Sequence, residues 1–155
     1  MDGYHYYKSR LREMPDVELA FARRGAPWTF DSEKFVSDLE HAKEKGEGLF
    51  PSFDHSIGDP SENAIHVTSS HDFVIVEGLY LLLDKDPWVR LKDMLDMTIF
   101  IDSDMSILRE RLINRHMVSF GMSREEAAQR ADTNDIPNAL EVIAMKHRAD
   151  IILQN

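Results

Sequence analysis

The chain has no cysteine, which excludes disulfide scaffolds, thiol nucleophiles and cysteine-ligated zinc together. Positive charge is scarce: 18 Lys and Arg stand against 28 Asp and Glu, a net charge of −10. Such a surface repels phosphate backbones, so no nucleic-acid partner is expected, although a local cationic site for a small phosphate is allowed. Long apolar runs are missing as well. The longest, at 73–76 and 79–83, fall far short of a bilayer, so no membrane partner is expected. The opening Met1-Asp2-Gly3-Tyr4-His5 has neither the basic nor the apolar region of a secretion signal. What is present is 43% apolar and 30% charged residues over 155 positions. That composition and length suit a single packed domain, 1–155, with a cytoplasmic location as the default.

Three segments read as buried parallel strands: 73–77, 97–101 and 149–153. Each is short, rich in Ile, Val or Phe, and apolar at consecutive positions, the pattern of a strand covered on both faces. Helical patterns lie between and before them. Asp31 or Ser32 can cap a helix running to about Lys45, with Phe35, Val36 and Leu39 inward and Gly46 ending it. A second helix is predicted over 104–116, burying Met105, Leu108 and Leu112. Ser123-Arg124-Glu125-Glu126 has capping-box spacing and opens a third. Asn134 and Pro137 mark a break before a last helix over 138–146, and 46–58 reads as a long flexible loop. Strands alternating with helices give an α/β fold with a mainly parallel sheet flanked by helices.

The most informative stretch is Phe73-Val74-Ile75-Val76-Glu77-Gly78. A hydrophobic strand ending in an acid puts a carboxylate at the carboxyl edge of the sheet, where ligands of open α/β folds bind. Glu77 could hold magnesium near a nucleotide phosphate, or merely cap a turn. Asp2 could serve as general base toward a substrate hydroxyl, or sit in an ordinary terminal turn. Asp54 and His55 could line a polar substrate site or make local turn hydrogen bonds. Arg109, Arg111 and Arg115 crowd one helix of an acidic chain, with the last two four residues apart on one face. They could clamp phosphoryl oxygens, or form a solvated face paired with Glu110 or Glu125. No HExxH spacing and no G-x-S-x-G elbow occurs.

Taken in order, these segments resemble the uridine kinase, phosphoribulokinase and pantothenate kinase group of P-loop small-molecule kinases, and most of all its uridine-kinase-like branch in fungi and bacteria. The resemblance also rests on Arg23-Arg24-Gly25-Ala26-Pro27, on Pro51-Ser52-Phe53-Asp54-His55, and on Leu79-Tyr80-Leu81 after Glu77-Gly78. Arg115-His116, Asn134-Asp135 and Asn138-Ala139 complete it. It implies a three-layer P-loop fold and ATP-dependent phosphoryl transfer to a hydroxyl of a small metabolite such as a nucleoside, a sugar or a pantothenate-like compound. By the same resemblance Asp2 is the base, Glu77 the acid near Mg2+, and Tyr4, His5, Asp54 and His55 the substrate side. Arg109, Arg111 and Arg115 are the ATP-side cations of a lid over about 109–133; Asn114 stands where relatives often carry a second arginine.

One departure is large. The family opens with a strand and a G-x-x-x-x-G-K-[ST] loop whose amides and lysine cradle ATP phosphates, and no Gly-Lys pair occurs in these 155 residues. The chain is therefore expected to be incomplete at its N-terminus and inactive alone, with weak or no ATP binding. In the family the opening strand lies between the strands matched by 73–77 and 97–101. Without it those neighbours either expose unpaired backbone or close up on each other. The alternative reading is a kinase-derived, non-catalytic interaction or regulatory module that pairs with a second copy or a partner through exposed sheet edges.

Overall fold

In the computed structural model, which describes residues 1–155, the chain forms two compact units, Met1–Asp96 and Met97–Asn155. The first begins with a turn at Asp2–Tyr4 and two short helices, α1 (Lys8–Leu11) and α2 (Val17–Ala22). The long helix α3 (Ser32–Lys45) starts where the Asp31 carboxylate accepts from the Lys34 amide at 3.1 Å. It stops at Gly46, whose φ of 74° a side chain would resist. Phe35 and Val36 face inward as expected. They join Tyr4, Phe30, Tyr80 and Trp88 in an aromatic core whose ring centroids lie 4.7–6.2 Å apart.

The expected flexible loop over 46–58 is instead a hairpin, β1 (Gly48–Asp54) paired antiparallel with β2 (Asp59–Val67). Pro51 hid it, because a proline inside a run reads as a strand breaker. The hairpin accommodates Pro51 by shifting register between Phe50 and Ser52, while Asn63 opposite takes a left-handed φ of 55°. Thus 51–54 of the expected loop lie in a strand, and His55 lies in the adjoining turn.

The run 73–77 corrects the sequence reading. It forms no strand; Phe73 is 89% and Ile75 92% exposed, and the backbone of 73–76 makes no hydrogen bond. A short helix, α4 (Leu91–Met94), ends this unit.

The second unit holds a parallel pair, β3 (Ile99–Asp102) beside β4 (Ile151–Gln154). Register is pinned by Asp150, whose carboxylate accepts from both the amide and the hydroxyl of Thr98 at 2.7 Å. These strands were expected to be buried on both faces. With two members the sheet leaves its side chains open, and Ile101 is 65% exposed. Helix α5 (Met105–Phe120) runs to Gly121 rather than His116, since no left-handed residue ends it earlier. It buries Ile113 and His116, not Met105, Leu108 or Leu112. The Ser123 capping box opens α6 (Arg124–Arg130). The break expected at Asn134 and Pro137 is a π-helical turn, Ala131–Asp135, that carries the chain straight into α7 (Ile136–Ala144). Pro137 falls in the first turn of α7, directly after the π-helical turn.

Candidate active site

In the first unit, the start of the chain is tied to the backbone at residue 77. The Met1 amine donates to the Glu77 carbonyl at 2.5 Å, and both Asp2 and Glu77 act on its charge. Two close approaches hold the arrangement. A Cβ on Gly3 would lie 2.2 Å from the Pro51 carbonyl oxygen, and one on Gly78 would lie 2.5 Å from the Met1 side chain. Both carboxylates are exposed, and that of Glu77 makes no hydrogen bond or ion pair. His55 Nε2 lies 3.8 Å from Asp2 Oδ2.

His5 sits in a ring stack, 4.0 Å from Phe30 and 4.8 Å from Phe53. Its Nδ1–H donates to the Asp2 carbonyl at 2.8 Å, which assigns the proton to that nitrogen and leaves Nε2 as the second site. Burial, helped by Arg24 and His55, holds the imidazole below its usual pKa against the pull of Asp2. Arg24 ties the wall together: Nη1 donates to the Gly58 carbonyl at 2.6 Å and Nη2 to the Tyr6 carbonyl at 2.9 Å, with Asp59 at 3.5 Å.

Two expected substrate-side residues are spent elsewhere. Tyr4 is a core residue, 4% exposed, whose hydroxyl donates to Asp38 at 2.8 Å; burial and that carboxylate push its pKa upward. Asp54 accepts from the Ser56 amide at 2.8 Å and hydroxyl at 2.6 Å, which depresses its pKa and marks it as the turn-former of 54–58.

In the second unit the three arginines of α5 part ways. Arg109 forks onto Asp132 at 2.7 and 2.8 Å, holding that carboxyl below its usual range. Arg124 takes Glu110 at 2.7 Å. The solvated-face pairing with Glu110 forms for Arg109, at 3.7 Å, whereas Arg111 and Arg115 are exposed with no acidic partner. At the carboxyl end of β3, Lys146 pairs with Asp102 at 2.8 Å.

His116 donates from Nε2 to Asp135 Oδ2 at 2.6 Å, and its Nδ1 is buried without a partner. An unmet polar atom of that kind costs roughly 1–3 kcal/mol. Neither this pair nor the Arg24 anchor was assigned a role from sequence, since contacts made 18 or 19 residues apart leave no local pattern. No group of three or more His, Asp or Glu side chains is arranged to hold a metal ion, and no helix is long and apolar enough to cross a membrane.

Two solved kinases share the fold of this mixed α/β chain. One, from Silicibacter sp. TM1040 and described as a candidate fructose transport system kinase, superposes with a TM-score of 0.88 at 31% identity over 98% of this chain and 71% of its own. The other, YFH7 from Saccharomyces cerevisiae, described as a candidate P-loop kinase with a circular permutation, gives 0.86 at 25% identity over 100% of this chain and 56% of its own. The molecule is thus of the P-loop kinase class. Residues 23–155 match the model of the phosphoribulokinase / uridine kinase family, and the chain belongs to that family. A Schizosaccharomyces pombe protein named as a candidate uridine kinase is 40% identical over 99% of the chain. The chain spans 67% of that relative and 62% of an Escherichia coli relative, YggC, that is 38% identical.

Proposed function

We propose that this chain supplies the acceptor and lid residues of an ATP-dependent kinase acting on a hydroxyl of a small metabolite: a nucleoside, a sugar or a pantothenate-like compound. The observation that carries this is that Asp2 and Glu77, two exposed acids from distant parts of the sequence, both act on the charge of the Met1 amine, with His55 Nε2 3.8 Å from Asp2. In this reading Asp2 accepts the proton of the substrate hydroxyl as its oxygen attacks the γ-phosphorus and ADP leaves. His5 and His55 contact the acceptor. In the second unit, Arg111 and Arg115, free of protein carboxylates, are the cations assigned to phosphate charge, with Arg109 kept in place by Asp132. Magnesium, when bound, would neutralise phosphate charge, and it asks for only one or two carboxylates from the protein. Glu77, exposed and without a hydrogen bond or ion pair on its carboxylate, would hold it.

The reading treats 1–155 as one domain with a lid at about 109–133, and places it in the cytoplasm. The G-x-x-x-x-G-K-[ST] loop is not among these residues, so the chain by itself should bind MgATP weakly and turn over negligibly. Calorimetric titration with MgATP, together with an ATP-dependent phosphorylation assay on a panel of nucleosides, sugars and pantothenate, tests this. Robust phosphorylation by protein verified to begin at Met1 would refute the expected inactivity. If an extended chain carrying the loop is active but indifferent to Asp2→Asn, the assignment of the base fails.

A second reading is favoured by one observation, the exposed and unbonded run 73–76. A non-catalytic module would use such an edge to pair with a second copy or another chain. Light scattering decides for self-pairing, since a monomer at all concentrations argues against it.

A further inference from the structure

The contact between α5 and the next helical stretch is centred on Ile113, Ala127 and Ala131, with the partly buried Leu112, Met117, Met122 and Ala128 packed against them. Apolar contact is non-directional. The other polar links from α5, Arg109 to Asp132 and Glu110 to Arg124, lie at the exposed surface, where ion pairs hold weakly. That leaves the part-buried His116–Asp135 pair as the firmest directional tie on how α5 is turned. The His116–Asp135 bond is directional and spans 19 residues. His116 is 7% exposed, its ring lies 5.8 Å from that of Phe120, and its buried Nδ1 finds no partner. The π-helical turn supplies the other half. It holds one residue more per turn than an α-helix, which swings the downstream residues by about 100°, and Asp135 is its last residue. Along α5, Arg115 immediately precedes His116 and Arg111 lies five positions back. With the imidazole turned inward, both guanidiniums stand exposed and unpaired.

We propose that His116 is a positioning residue: through its bond to Asp135 it fixes the rotation of α5 and thereby aims Arg111 and Arg115 at a polyphosphate, an inference that rests on the phosphate-clamp reading above. The absence of cysteine gives a clean test. Spin labels on Asn114→Cys and Glu125→Cys, two exposed sites on α5 and α6, report the distance between the helices. A single narrow distribution is expected, broadened by His116→Phe and by Asp135→Ala and narrowed again by His116→Gln, whose amide can still donate to the carboxylate. Circular dichroism confirms that each variant is folded. In parallel, inorganic tripolyphosphate titrated at low ionic strength should bind about tenfold more weakly to His116→Phe, as misplaced groups lose their grip, and near normally to His116→Gln.

A narrow distribution in both loss variants overturns the inference, and so does a broad one with unchanged tripolyphosphate affinity. If Arg111→Ala with Arg115→Ala leaves affinity unchanged, the clamp reading fails instead. That outcome removes the aim of the guanidiniums, while the label distances still decide whether the pair sets the helix rotation.

Discussion

Gly3 and Gly78 offer paired tests at the scale of single residues. A methyl group on Gly3 meets the backbone carbonyl of Pro51, which cannot move without the hairpin, whereas one on Gly78 meets the flexible side chain of Met1. Gly3→Ala should therefore destabilise by about 3 kcal/mol and Gly78→Ala by under about 1 kcal/mol, measured by urea denaturation. His5 gives a pH signature. Its folded pKa is lowered, so the unfolded chain binds the extra proton first. Stability is full above the ordinary imidazole value near 6.5 and declines as pH falls below it. The depressed carboxyls of Asp54, Asp102 and Asp132 act only lower, below their ordinary value of 3.8. Burial also lowers the Met1 amine from 8.0. Melting between pH 8 and 5 should thus show a decline that begins with that amine and that His5→Phe lessens below about pH 6.5; an unchanged slope there in that variant overturns the assignment. Asp2 and Glu77 could be singled out from sequence because an acid next to glycine is a local pattern. That Tyr4 would be buried on Asp38 could not, since a tyrosine beside a histidine reads the same in a core or a cleft.

Among the elements, the long capped helices were legible, while the short α1, α2 and α4 and the hairpin were not. Caps are local: Asp31, Ser123 and the glycines at 46 and 121 act within four residues of themselves. Ser123→Ala should lower stability by about 1 kcal/mol, read from thermal or urea melts. The π-helical turn escaped notice because Asn134 and Pro137 carry the same signals as a true helix end. Its phase can be checked directly. Deleting Thr133 should restore an α-helical repeat, swing Asp135 away from His116 and change the imidazole's NMR signals; unaltered signals would show that the turn does not set that contact.

For the molecule as a whole, the α/β alternation was readable from apolar runs, but pairing was not, because a run of Phe, Val and Ile announces a strand without naming its neighbour. The 73–76 run makes the point: it has the composition of a core strand and the exposure of a loop. Phe73→Ser with Ile75→Ser should alter stability by no more than about 0.5 kcal/mol, checked by chemical denaturation, where core positions would lose several times that. Amides of this run have nothing to slow their exchange with deuterated solvent. The protein therefore carries its own gauge: whatever binds along this edge will announce itself as a slowed exchange at four consecutive residues, before the identity of the binder is known.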